Sequence, residues 1–252
     1  MLYIYILFLY LFMESVITAA GKGTRANLPR NMRKEMLPVY SVRDNKIVLR
    51  PVIDVIINKL SNAGIDKFFV IIDKNDNGTR DYLLSLDYKI ELIYQDKPKG
   101  YGYAVSLASD YVNSNFILNA GDGFILKDDY IIKMINYFKI RKKSVISLMR
   151  VKDPSRYGIA SIAGKKVLSV VEKPEKPETN YALPAFYIFE RGIFNYMKYD
   201  ELTPAINDFI MAGNDVYYYL IRNSDWVSIG RSENYYKILR KTYNYSERNL
   251  KK

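Results

Sequence analysis

Two glycines in the string Ala19-Ala20-Gly21-Lys22-Gly23-Thr24-Arg25 directly follow an apolar segment, and Lys34-Glu35-Met36-Leu37-Pro38 comes shortly after. Glycines at a strand end let main-chain amides approach a phosphate closely, so Ala20, Gly21, Gly23 and Thr24 are expected to contact a nucleotide. Arg25 and Lys34 are the cations able to neutralise the charge a departing pyrophosphate gathers. The spacing is not that of a P-loop or of a dinucleotide fingerprint. A glycine pair alone is as readily a tight turn; the basic residues that follow favour the phosphate reading.

Three further clusters have chemistry to offer. Gln95 precedes Lys99-Gly100-Tyr101-Gly102-Tyr103-Ala104, and its amide carries the donor and acceptors that reading a pyrimidine edge requires. In isolation it is equally a surface amide beside a helix cap. Asp122 stands in Asn119-Ala120-Gly121-Asp122-Gly123, after an apolar strand, where a hard ion such as magnesium takes one or two carboxylates plus substrate phosphates. An Asp between glycines is otherwise a turn residue. In the second half, Gly158, Glu172-Lys173-Pro174 and Asn180 are polar or conformationally special residues that composition alone leaves as a solvated loop.

Composition narrows the chemistry. The 252 residues contain no cysteine and no histidine. Thiol nucleophiles, Ser/His/Asp triads, zinc centres of the usual kind and imidazole bases are therefore unavailable. Carboxylates, cations, main-chain amides and magnesium remain, a set suited to phosphate transfer. The net charge of +11 favours anionic partners. The basic residues are scattered and no recognition module accompanies them, so nucleic acid is not an expected partner. Lack of cysteine fits a reducing compartment, the cytoplasm.

These residues need a scaffold that brings strand ends together. Residues 15–20 read as a first strand. Val52, Ile53, Ile56, Ile57 and Leu60 then repeat at helical spacing up to Gly64. Strands at 67–72, 89–94 and 115–119 alternate with helices at 78–86 and 102–112. A helix capped by Asp128 leads into a strand at 144–151. Such alternation implies parallel pairing through crossovers, with ligands in the crevice beyond the strands' carboxyl ends. Short strands follow at 157–162, 167–172 and 181–189, then two helices and a final strand. The expected fold class is α/β: a Rossmann-like mixed, mainly parallel sheet flanked by helices, with a strand-rich half. One domain over 13–252 is expected, behind an apolar extension, 1–12, that is shorter than the roughly 20 residues needed to cross a bilayer. Met13 is the preferred natural start, because the first strand is complete without the extension; a short membrane or partner anchor is the other reading.

The GKGTR loop with KEMLP behind it resembles the sugar nucleotidyltransferases that make UDP-glucose, dTDP-glucose and related activated sugars. KEMLP in particular is similar to the bacterial UTP:glucose-1-phosphate uridylyltransferases, and the similarity runs from Ser15 to about Tyr236. The resemblance implies that Gln95 and Gly100 hold the base and that Asp122 binds Mg2+. It also implies that Glu172 bonds sugar hydroxyls, with Gly158, Asn180 and Glu201 on the sugar side, and that Lys173 contacts the attacking phosphate. The implied partners are UTP or dTTP and a hexose 1-phosphate. Relatives complete the metal site with an aspartate in Trp-x-Asp-x-Gly. Here the string is Trp226-Val227-Ser228-Ile229-Gly230, so Ser228 occupies the second ligand position and weaker metal binding is expected. Asp225 is at odd spacing from Ser228, which on a strand puts it on the opposite face. The stretch between Arg25 and Lys34 is short, and Arg33 stands where the uridylyltransferases have proline. A glycosyltransferase of related topology would show Asp-x-Asp, whereas Asp122 is followed by Gly123 and Phe124. A nucleotide-sugar sensor is supported only by Ser228.

Overall fold

The computed structural model describes residues 13–21, 23, 28–29, 32–230 and 232–251; Thr24, Arg25 and the 1–12 extension lie outside the described residues. Strand β1 (Glu14–Ala19) is followed by a hairpin of β2 (Pro38–Arg43) and β3 (Lys46–Pro51). The crossover part then runs α1 (Val52–Asn62), β4 (Lys67–Asp73), α2 (Asn77–Leu84), β5 (Lys89–Gln95), α3 (Tyr101–Ser106) and β6 (Phe116–Ala120). Next come β7 (Gly123–Ile125), α4 (Asp128–Arg141), β8 (Ser144–Arg150), β9 (Gly158–Ala163), β10 (Lys166–Glu172), β11 (Tyr181–Ala182) and β12 (Phe186–Phe189). The chain ends with α5 (Leu202–Met211), β13 (Val216–Leu220), β14 (Trp226–Ser228) and α6 (Tyr235–Leu250).

Among the described residues ten strands form one sheet in the order β11-β9-β10-β13-β8-β12-β6-β1-β4-β5. The β6-β1-β4-β5 run is parallel throughout, β13 is parallel to β8, and β12 is antiparallel to both of its neighbours. The expected α/β fold with a mixed sheet flanked by helices is what the structure displays; parallel pairing is confined to the β6-β1-β4-β5 run and to β13 with β8, and the other pairings of the sheet are antiparallel. Both faces of β1 are covered: Ile17 packs with α1, and Val16 with Ala104 and Val105 of α3. The predicted apolar stripe of α1 is fully enclosed, each of Val52, Ile53, Ile56, Ile57 and Leu60 being at most 1% exposed. Enclosure on this scale contributes about 2 kcal/mol per side chain.

The differences from the sequence pattern have local causes. The hairpin was not predicted: Asp44 and Asn45 turn it with φ of 50° and 55°, a primed-type turn that Asn tolerates but that lacks the usual glycine. Helix α3 stops at Ser106, short of 112, because Leu107, Ala108 and Ser109 donate three residues back, to Ala104, Val105 and Ser106. That tightening ends the α-helix. The strand predicted at 181–189 is broken at Leu183-Pro184-Ala185, where Pro184 has no N–H and Ala185 has φ 43°. Asp128 is not a cap: Lys127 holds that position, and the Asp128 carboxylate instead pairs with Lys59. Lys59 is 9% exposed, and a buried ammonium needs that partner more than the helix needs a cap.

Helix α6 braces two elements that reach the site. The Tyr40 N–H of the hairpin donates to Thr242 Oγ1 at 3.2 Å, and Lys241 Nζ donates to the Trp226 carbonyl of β14 at 2.7 Å. On the hairpin's other side, Arg50 grips Asp54 of α1 through two bonds of 2.7 and 2.6 Å.

Candidate active site

The carboxyl ends of β6, β1, β4 and β5 lie side by side, and the singled-out residues sit on them. Gly21 follows β1, Gln95 closes β5, and Asp122 follows β6. The Asp122 loop is pinned at both edges. Gly121 N donates to Thr18 O, and Ile229 N donates to Asp122 O, both at 2.9 Å. Antiparallel pairing of β14 with β7 sets Ser228 opposite Gly123. A Cβ at Gly123 would stand 2.7 Å from the Trp226 ring and 2.8 Å from Val227 O. Only glycine allows β14 to approach so closely, and it is this approach that carries Ser228 to Asp122.

Lys34 reaches across the crevice and pairs with the Asp122 carboxylate. Its stem lies on Gly23, with Cγ 3.2 Å from where a Cβ would be. The first and third motifs are thus one cluster, although 88 residues separate Lys34 from Asp122. Arg33 donates to Asp73 at 3.1 Å and to the Gly21 carbonyl at 3.4 Å and forms an ion pair with Asp76 at 3.1 Å. It ties the glycine loop to the end of β4.

Behind Lys34, Glu35 is buried, with Oε1 lacking a hydrogen-bond partner among the described residues. Burial, with a smaller push from the Asp122 charge, moves its carboxyl from an ordinary 4.5 up to about 8. Between those values the folded chain holds a proton that the unfolded chain releases, so stability falls as pH rises through this window and levels off above it. Glu35→Gln removes the titration. Relative to the variant, the parent is expected to lose on the order of a few kcal/mol between pH 4.5 and 8. Denaturant melts across that range read the difference, and parallel curves would mean that Glu35 stays ionised in the fold.

Gln95 is buried, and its Nε2 donates to Lys97 O at 3.0 Å, which fixes the amide on its own loop. Gly100 has φ 150°, and a Cβ there would stand 2.3 Å from Asp200 O. Glycine therefore seats α3 on the segment ahead of α5. Glu201 is the N-cap residue of α5, its side chain exposed and its carbonyl facing Gly102.

The strand-rich half reaches the same edge through β12. Ala120 N donates to Ala185 O at 3.1 Å, and Ala182 pairs with both Met149 of β8 and Ile159 of β9. Gly158 and Glu172 pair directly, and Glu172 Oε2 lies 3.2 Å from where a Gly158 Cβ would be. Lys173 follows with φ 38°, its N–H held by Tyr157 O at 3.1 Å and its ammonium paired with Glu172. Asn180 is not brought to this group. Antiparallel pairing carries it away from Gly158, and it lines an open groove with Val151, Lys152 and Pro154. Leu183 and Thr203 stand beside Gly158 instead. Sequence reasoning passed over both, since an apolar and a hydroxyl side chain in ordinary surroundings carry no signal.

Asp122 offers a carboxylate at the strand-end edge, with Ser228 on the neighbouring strand opposite Gly123, and magnesium is an ion that keeps waters and takes few protein carboxylates. Among the described residues no group of three or more His, Cys, Asp and Glu is placed to hold a metal. Asp225 is buried, lies on the 3-10 turn that precedes β14 rather than on the strand its spacing assumed, and pairs with Arg222 and Lys127. No helix of the described residues is long and apolar enough to cross a membrane.

The chain has counterparts among known proteins. The Nucleotidyl transferase family model matches residues 14–244, and the chain belongs to that family. The bifunctional protein GlmU of Methanococcus aeolicus is 30% identical over 212 residues, 80% of this chain and 48% of that protein. The glucose-1-phosphate thymidylyltransferase of Neisseria gonorrhoeae is 28% identical, over 77% of this chain and 66% of its own. The chain spans about half the length of the GlmU relatives it matches. Among solved structures, the UTP-bound UGPase of Acinetobacter baumannii superposes with a TM-score of 0.76 at 20% identity, covering 91% of this chain and 92% of that one.

Proposed function

We propose that this protein transfers UMP or dTMP from the triphosphate to a hexose 1-phosphate, with glucose 1-phosphate as the preferred acceptor, and releases pyrophosphate. The observation that carries this is the meeting of Lys34 and Asp122 across the crevice, with the Glu172-Lys173 wall joined to it through β12. Relatives whose names specify a thymidylyltransferase, and a neighbour solved with UTP, support the nucleotide class.

In the reaction, a sugar-phosphate oxygen attacks the α-phosphorus in line. The new P–O bond forms as the bond to the bridging oxygen of pyrophosphate breaks. The nucleophile is already anionic, so no general base is needed, in keeping with a chain that lacks histidine. Lys34, and Arg25 outside the described residues, offset charge on the leaving group; Lys173 holds the attacking phosphate; Gln95 and Gly100 seat the base. Glu172 and Gly158 face the sugar, with Glu201 at the α5 start near it. Asp122, with Ser228 opposite the adjacent Gly123, would hold magnesium, whose contribution when bound is to neutralise phosphate oxygens.

The test is pyrophosphate release from UTP, dTTP, CTP, ATP and GTP, each with glucose 1-phosphate and magnesium. Release is expected with UTP or dTTP well above the purine triphosphates. A purine preference removes the base assignment, and no release with any of them removes the enzyme reading.

A further inference from the structure

Asn119 is the one polar side chain of β6, and the reaction gives it no task. It is 1% exposed and stands in register with Ile17 of β1 on one side and Phe186 of β12 on the other. A buried amide among such neighbours is costly unless its hydrogen bonds are made. Asn119 makes them forward along its own chain. Its Nδ2 donates to the Ala120 carbonyl at 2.6 Å and to the Gly123 carbonyl at 2.8 Å. An amide nitrogen carries two hydrogens, so both are committed to this pair. The two bonds span Asp122, one reaching the chain before it and the other the chain after it.

What these bonds secure follows from the rest of the loop. Thr18 O holds Gly121 N, and Ile229 N holds Asp122 O, so the peptides on either side of Asp122 are tied to β1 and to the segment after β14. Asn119 takes the carbonyls that flank this stretch, at the turn out of β6 and at the entry to β7. β7 in turn pairs with β14 and sets Ser228 opposite Gly123. One side chain therefore fixes the width of the loop from beneath, while the Asp122 carboxylate faces Lys34 across the crevice. The core itself asks for nothing of the kind: an apolar side chain is the ordinary occupant of a position enclosed like this one. The amide serves the loop.

Resting on the reaction proposed above, we infer that Asn119 is a positioning residue: its amide holds the Ala120–Gly123 loop at the spacing that presents Asp122, and it touches no substrate itself. Asn119→Leu is similar in size and removes both donors. Asn119→Thr is the milder second variant, suited to a strand, whose single O–H can make one of the two bonds at most. With UTP, glucose 1-phosphate and magnesium, each variant that folds is expected to lose about thirtyfold in kcat, the scale on which slight misplacement acts, while both KM values stay within about twofold. The decisive comparison repeats Asn119→Thr in the Asp122→Asn background. There it is expected to change turnover by less than about threefold, because two residues that act through one carboxylate are not additive, while its lowering of the melting temperature is the same in both backgrounds. Parent-like turnover in Asn119→Thr overturns the inference. An equal loss of turnover in both backgrounds also overturns it, since Asn119 then supports the fold and not Asp122. Absence of turnover in the parent is a distinct result that removes the reaction. The loop is then read by Mn2+ titration with UTP present: affinity weakened about tenfold in Asn119→Thr keeps the positioning role, and unchanged affinity, or no binding by the parent, ends it.

Discussion

Asp122→Asn is expected to lower turnover by about three orders of magnitude while shifting stability by less than about 1 kcal/mol. The side chain keeps its size, and what anchors the loop is main chain: Gly121 N to Thr18 O and Ile229 N to Asp122 O. The Lys34-Asp122 pair is partly open to solvent, with side chains 17% and 26% exposed, so losing it costs the fold little. The reaction loses more. In the proposed reaction, the ion that offsets phosphate charge on the leaving group is held through this carboxylate. Mn2+ titration followed by electron paramagnetic resonance, with UTP present, separates binding from turnover. Asp122→Asn is expected to weaken Mn2+ binding, and Ser228→Asp, which adds a carboxylate opposite Gly123, to tighten it. Parent-like turnover in Asp122→Asn removes Asp122 from the mechanism. Unchanged Mn2+ affinity in Ser228→Asp shows that position 228 does not face the ion.

Why some of this was legible from residues and some was not follows from what a linear pattern records. The α1 stripe and the β1, β4 and β6 strands are written as periodicity, because each must fill one face or two faces of a core. Asp122 and the glycine loop were readable since α/β topology sends every parallel strand end to the same edge. The resemblance supplied Glu172 and Lys173, whose residue types alone read as an exposed loop. The β2-β3 hairpin escaped notice because the partners that hold it, Thr242 and Tyr243 of α6, are distant in sequence. Arg33 was visible only as a departure inside a motif. Its meaning is spatial, lying in Asp73, Asp76 and the Gly21 carbonyl. Asn180, supplied by the same resemblance, lies on the antiparallel return ahead of β11, where its carbonyl accepts from Val151 N.

Lys173→Ala is expected to reduce turnover by about two to three orders of magnitude, with little change in the KM for the triphosphate, the size of loss seen when one charge-stabilising donor is removed. The backbone sets up an independent check. Lys173 occupies the left-handed region at φ 38°, where any side chain beyond hydrogen is strained by roughly 1 kcal/mol. Its ammonium is 44% exposed and its partner Glu172 32% exposed, so the ion pair between them adds little to stability. Lys173→Gly therefore ought to stabilise the fold by relieving the backbone while losing turnover as Lys173→Ala does. A turn residue without chemistry gives a different pair of outcomes: higher melting temperature in the glycine variant and parent-like activity in both. Stability and activity moving in opposite directions at one position is the signature of a strained conformation retained because the cation it presents is used on the substrate.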